Sequence, residues 1–266
     1  MTKQKVDLKI TTSDGLPPTQ KTISSLIKFL QVKYFQLNTR LFRDYRSSLI
    51  YDEVEQTNQQ SLIKPLVEAI KIANETELSC GNHEIEDYIF LNKFPGEHYL
   101  ILNSLISTTG SKNIVEIGTA TGLSSLAMHE NNEILSINTY DIVDWFNYSE
   151  KSHFTESNMN KIKQIIGDLS KIDFFEKNFD ILDQSDFIFM DGPKDGKFEY
   201  DMFKFFQKLS KKKFKYLFID DIKFIHMTNL WASIESPKID LSPFGHWTGS
   251  GLVDISECLK LKKQNV

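Results

Sequence analysis

The chain predicts an α/β fold built on a mainly parallel sheet, and three observations carry that reading. From Asn113 onward, short apolar runs alternate with segments of helical periodicity, the pattern of strands joined by helical crossovers. The stretch Asn113 to Met128, NIVEIGTATGLSSLAM, reads as a strand, a tight glycine turn and a helix start. Ile114 and Val115 lead to Glu116, Gly118 and Gly122 follow, and Leu123, Leu126, Ala127 and Met128 fall at helical spacing. Aspartates follow the apolar runs, at the edge where parallel sheets take their ligands.

Residues 1–20 are polar and contain Gly15, Pro17 and Pro18, so an irregular arm is expected. Ile23, Leu26, Ile27, Leu30, Tyr34, Leu37 and Leu41 then step at the intervals of a long amphipathic helix. Leu62, Leu66, Ala69, Ile70 and Ala73 give a second helix, with Pro65 near its first turn. Ile85 to Phe94 reads as a short third element, ended by Phe94-Pro95-Gly96. Glu97 to Thr108 is helical, and Gly110 caps it. Strand candidates are Ile114–Ile117, Ile134–Tyr140, Lys163–Ile166, Asp186–Met190 and Tyr216–Ile219, with helices between them. Ile239–Leu241 and Leu252–Ile255, around Gly245, Gly249 and Gly251, form a terminal hairpin. Residues 1–92 are therefore expected as an arm with accessory helices, and 93–266 as the domain that carries the sheet. The stripe from Ile23 to Leu41 must be covered, by that domain or by the second subunit of a homodimer.

The 266 residues suit one large domain, or one domain with a helical extension. A composition 40% hydrophobic and 25% charged excludes wholesale disorder. A net charge of -5 argues against a nucleic-acid partner. The cluster Lys211, Lys212, Lys213 and Lys215 reads as a solvated helix end before a buried strand. Cys80 and Cys258 make neither a disulfide framework nor a zinc-ligand set. The opening residues MTKQKVDLKITTSDG lack the apolar core of a secretory signal. No window approaches about eighteen uninterrupted apolar residues. A cytoplasmic protein without a membrane partner is expected.

The spacing Glu116-x-Gly118-x-x-x-Gly122-x-Ser124 resembles the first motif of class I S-adenosylmethionine-dependent methyltransferases. It differs from the Gly-x-Gly-x-x-Gly fingerprint of nicotinamide and flavin enzymes. The resemblance implies a Rossmann-like methyltransferase fold: a seven-stranded, mainly parallel sheet with a C-terminal antiparallel hairpin. It also implies S-adenosylmethionine as cofactor. Gly118 would then let the backbone approach the ligand closely. Asp141, after the second strand, would accept from both ribose hydroxyls, and Asp168, after the third, from the adenine amine. Ser124 and the amides from Gly118 to Gly122 would hold the cofactor's carboxylate. Glu116 would orient the turn or meet its ammonium. Each aspartate equally suits a turn or a helix cap.

A second constellation lies in DFIFMDGPKDGKFEYDM, Asp186 to Met202. Its apolar strand ends in Asp191, and the later strand YLFI ends in Asp220-Asp221. Three carboxylates at one sheet edge repel unless a cation sits between them, and Mg²⁺ is the natural hard ion for oxygen ligands. The order Asp-x-x-Lys-Asp, then a strand ending in Asp-Asp, is similar to the catechol and caffeoyl-coenzyme A O-methyltransferases. The segments PGEHY and FGHWTGSGLVDI look like a bacterial branch of class I methyltransferases, and the likeness spans residues 94–256. The resemblance implies Asp191, Asp220 and Asp221 as metal ligands and Lys194 as the catalytic base, with Asp221 standing where that family usually has Asn. Pro193-Lys194-Asp195-Gly196 is also good surface-turn chemistry. His98, His226 and His246 are alternative bases, and Phe224 and Trp231 are assigned to the core. The implied activity is Mg²⁺-assisted methyl transfer to a hydroxyl of a small molecule or sugar. A metal-independent methyltransferase of the same fold and a Rossmann-type oxidoreductase are the alternatives.

Overall fold

A computed structural model describes residues 60–81, 91–93, 96–147, 152–154, 160–224 and 226–262. The chain divides into two units, Met1–Arg46 and Ser47–Val266, and every described residue belongs to the second. The expected N-terminal arm, the Ile23–Leu41 helix and most of the Ile85–Phe94 element lie outside the described residues.

The elements run α1 (Gln60–Glu75), α2 (Glu97–Thr109), β1 (Asn113–Ile117), α3 (Leu123–His129), β2 (Ser136–Asp141), β3 (Ile162–Ile166), α4 (Ile172–Gln184) and β4 (Phe187–Met190). They continue as α5 (Lys197–Phe206), β5 (Tyr216–Asp220), α6 (Met227–Ser233), β6 (Lys238–Asp240) and β7 (Ser250–Asp254). The seven strands form one sheet in the order β3-β2-β1-β4-β5-β7-β6. β1 to β5 are mutually parallel. β7 runs antiparallel to β5, and β6 antiparallel to β7. This is the Rossmann-like α/β arrangement expected from the sequence. Strands are laid outward from β1 to β3, and the chain then returns to place β4 on the other side of β1. The reversal opens a crevice beyond the carboxyl ends of β1 and β4.

Strand periodicity sends alternate residues to opposite faces, and the two halves of the core follow it. Ile114, Ile137, Phe187, Phe189 and Phe218 share a cluster with Leu62, Leu66 and Ala69 of α1 and Leu102, Leu105 and Ile106 of α2. Val115, Ile117, Ile188, Met190, Leu217 and Ile219 face the other way, onto Phe175 and Leu182 of α4 and Met202, Phe203 and Phe206 of α5. The result is three layers, helix, sheet and helix. α1 fell within the accessory portion drawn from the sequence. Its buried stripe is continuous with the sheet's own core.

Gly110 closes α2 with φ 66°, its amide donating to Ser107 O at 3.1 Å. Phe224 and Trp231 are half-buried against the second cluster, as expected. Lys215 departs from the reading of a solvated lysine patch: it is fully buried. Its Nζ donates to the carbonyls of Leu182 at 2.6 Å and Asp183 at 3.0 Å, where the C-terminal turn of α4 leaves acceptors without helical partners. Among the described residues, no helix is long and apolar enough to cross a membrane.

Candidate active site

Beyond the carboxyl ends of β1 to β4 lies a cavity of about 530 Å³. Gly118, Asp141, Asp168 and Asp191 all line it, one from the end of each strand. The ladder extends past the strands and fixes these ends to one another. Gly118 N donates to Tyr140 O, Asp191 N to Ile117 O and Gly167 N to Asp141 O, each at 2.8 Å. Ile142, Val143, Leu169 and Phe198 add apolar wall. A concave, mostly apolar site with a few convergent polar groups is what a small-molecule cavity requires.

Gly118 has φ 99°, and a Cβ there would run into the carbonyl oxygen of Asp191. The neighbouring strand end, as well as any ligand, therefore dictates the glycine. Gly122 has φ 88° and faces the ring of Phe154; it is not among the residues lining the cavity. Asp141 Oδ2 accepts the amides of Thr119 at 2.9 Å and Ala120 at 3.0 Å. Its Oδ1 accepts Val143 N at 3.1 Å. Asp141 thus ties the first turn to the second strand while lining the cavity. Asp168 accepts both Ser170 N at 2.9 Å and Ser170 Oγ at 2.6 Å. Burial pushes Asp168 up, but these bonds and the Lys171 charge together outweigh it and hold the carboxyl below its usual range.

Two side chains of the first motif stand away from the cavity. Ser124 does not line the cavity; its Oγ donates to Glu116 Oε1 at 2.5 Å. Glu116 is fully buried and also accepts from Ser125 Oγ. It therefore orients the start of α3, the first of its two expected roles, and is closed off from the cavity. Side-chain alternation explains the place of Glu116: it lies on the α3 face of β1, while Val115 and Ile117 point the other way.

Burial pushes the Glu116 carboxyl up to about 7, against its hydroxyl donors. An acid whose folded pKa lies above its reference value of 4.5 keeps its proton more tightly in the folded chain. Its contribution to stability is then full below pH 4.5 and lost as pH rises towards 7. Glu116→Gln removes that titration. Wild type should lose about 3 kcal/mol more than the variant across this window, at about 1.4 kcal/mol per pKa unit. Urea denaturation at stepped pH measures the difference, and parallel curves would show that Glu116 does not titrate there.

On the β4–β5 side, one oxygen each of Asp191, Asp220 and Asp221 lie within 4.8 Å of one another. Lys194 reaches into this set. Its Nζ donates to Asp191 Oδ1 and pairs with Asp221 Oδ2 at 2.9 Å. The Lys194 side chain is only 16% exposed, which alone would lower its pKa. The surrounding carboxylates outweigh burial and raise it. In these contacts Lys194 keeps its proton. Lys194 and Asp221 both have φ 58°, an uncommon conformation for residues with side chains and one that concentrates at functional sites.

Of the neighbours of this cluster, Glu199 was not singled out from the sequence, whereas His98 and His246 were named as alternative bases. Glu199, 1% exposed, accepts Lys194 N at 2.7 Å and Gly196 N at 2.9 Å, and so fixes the Lys194 loop. The Gly196-x-x-Glu199 spacing at a helix start was its available signature. Asp220 Oδ1 lies 2.9 Å from His246 Nε2 and accepts Ser250 Oγ at 2.8 Å. Burial would raise Asp220, but the His246 bond and the nearby histidine charges outweigh it and lower it. The His98 ring packs edge-on to His246, with centroids 4.7 Å apart. His226 stands apart, exposed at the start of α6.

No family model matches the chain, and no curated protein matches it. Solved structures with similar folds include a Staphylococcus aureus protein provisionally described as a caffeoyl-CoA O-methyltransferase. It is 17% identical, with 85% of this chain and 99% of that one covered, at a TM-score of 0.43. The O-methyltransferase TomG from Streptomyces achromogenes, involved in tomaymycin synthesis and solved with SAM, is 15% identical. There 87% of this chain and 99% of that one are covered, at a TM-score of 0.43. An O-methyltransferase from Bacillus cereus in complex with SAH is 15% identical, with 75% and 91% covered, at a TM-score of 0.41.

Proposed function

We propose that this protein is an S-adenosylmethionine-dependent O-methyltransferase acting on a hydroxyl of a small molecule or sugar, with assistance from Mg²⁺. The observation that supports it most is the shared cavity. Gly118, Asp141 and Asp168 line it at successive strand ends, and Asp191 joins that cavity to the carboxylate cluster. On this reading Asp141 takes the ribose hydroxyls, Asp168 the adenine amine, and Ile142 and Leu169 flank the base. The donor supplies an electrophilic methyl group. The chain's task is to hold the acceptor oxygen in line with it and to manage the oxygen's proton.

The oxygen-only set of Asp191, Asp220 and Asp221 suits a hard divalent ion, which would acidify a bound hydroxyl. Lys194 is then the base. Once Asp191 and Asp221 are committed elsewhere, burial dominates the lysine and favours the neutral amine that accepts a proton. A second reading rests on the Lys194 contacts themselves. The ammonium between Asp191 and Asp221 already supplies a positive charge, so the site could work without a metal. A chelator that leaves turnover unchanged would select it.

Nucleoside binding is the first test. S-adenosylhomocysteine should bind the purified chain, and Asp141→Ala should weaken it by about 1–3 kcal/mol through loss of hydrogen bonds to a charged group. Calorimetry that detects no binding to wild type would overturn the reading.

A further inference from the structure

The geometry points to a second metal site, built by His98, His246 and Asp220, that takes a transition ion rather than Mg²⁺. This inference stands apart from the nucleoside reading. The three residues come from separate parts of the fold: His98 from the first turn of α2, Asp220 from the end of β5, and His246 from the segment before β7. All three are buried. One donor atom from each lies within 4.8 Å of the other two.

Metal–ligand bonds of about 2.0–2.2 Å meeting at about 90–110° place adjacent donors about 2.9–3.5 Å apart, and opposite donors about 4.2 Å apart. His246 Nε2 and Asp220 Oδ1 are 2.9 Å apart, already the separation of adjacent ligands. Two imidazoles and one carboxylate favour borderline ions such as Zn²⁺, Co²⁺ or Fe²⁺, whereas all-oxygen sets suit Mg²⁺. Asp221 Oδ1 lies 3.7 Å from His246 Nδ1. It supplies negative charge beside the set, while Thr248 Oγ1, hydrogen-bonded to Nδ1, fixes the ring's orientation, the role an outer partner plays around metal-bound histidine. Asp220 belongs to both clusters, so the nature of the ion decides which partners it recruits.

The test uses the full chain after chelation and buffer exchange, titrated with Co²⁺. Wild type should bind one ion and develop visible absorption bands. His98→Gln and His246→Gln should each weaken Co²⁺ binding by more than about 100-fold, beyond the 10–100-fold typical of losing only a supporting partner. Equal Co²⁺ affinity in wild type and both folded variants, or no Co²⁺ binding to folded wild type, would overturn the site. X-ray absorption of the Zn²⁺-loaded wild type gives a reading that needs no variant. Imidazole scattering in the first coordination sphere supports the site, and an oxygen-only sphere rejects it.

Discussion

Gly118→Ala should cost the fold about 2–5 kcal/mol and abolish nucleoside binding. The figure combines about 1–2 kcal/mol for a side chain in left-handed backbone with about 1–3 kcal/mol for overpacking. At φ 99° the added methyl would meet the carbonyl oxygen of Asp191. Neither partner can retreat cheaply. Gly118 N is bound to Tyr140 O, and Asp191 N to Ile117 O. Moving one strand end away breaks a bond on each side and pulls apart the wall that Gly118, Asp141 and Asp191 form together. Urea denaturation and calorimetry with S-adenosylhomocysteine measure the two effects. A wild-type midpoint with intact binding would mean that the turn has room the geometry denies.

The sheet was legible because a parallel strand covered on both faces needs an unbroken apolar run, and few other structures do. IFM at Ile188–Met190 and YLFI at Tyr216–Ile219 left little choice of structure, and the aspartates after them marked the sheet edge that carries the cavity and the carboxylate cluster. Strand ends were less visible. β2 begins at Ser136 and not Ile134, because pairing with β1 starts at Asn113 and Ser136. The roles within the first motif were only half readable. Spacing placed Glu116 and Ser124 near the turn, but strand alternation turned Glu116 inward and committed Ser124 to it. The histidines could not be paired from sequence at all. His98 and His246 meet only because β7 returns antiparallel beside β5 and brings its preceding segment over the start of α2.

Lys194→Ala should lower kcat by about 10²–10⁴-fold, the range for a positioned base, with little change in nucleoside affinity. The structure sharpens what else must follow. Lys194 is the cation between Asp191 and Asp221, and its loop is fixed by the Glu199 carboxylate. Removing the ammonium leaves three close carboxylates with less compensation. The variant should therefore bind Mg²⁺ or Mn²⁺ more tightly than wild type while turning over more slowly, a split that simple damage to the site does not produce. In wild type, divalent ion should shift the ascending limb of the pH–rate profile to lower pH, because it competes for the carboxylates that raise the lysine's pKa. The variant should lack that limb. Near wild-type turnover in Lys194→Ala, measured with a confirmed acceptor, would move the base elsewhere. His246, held by Asp220 and Thr248, would be the next residue to substitute.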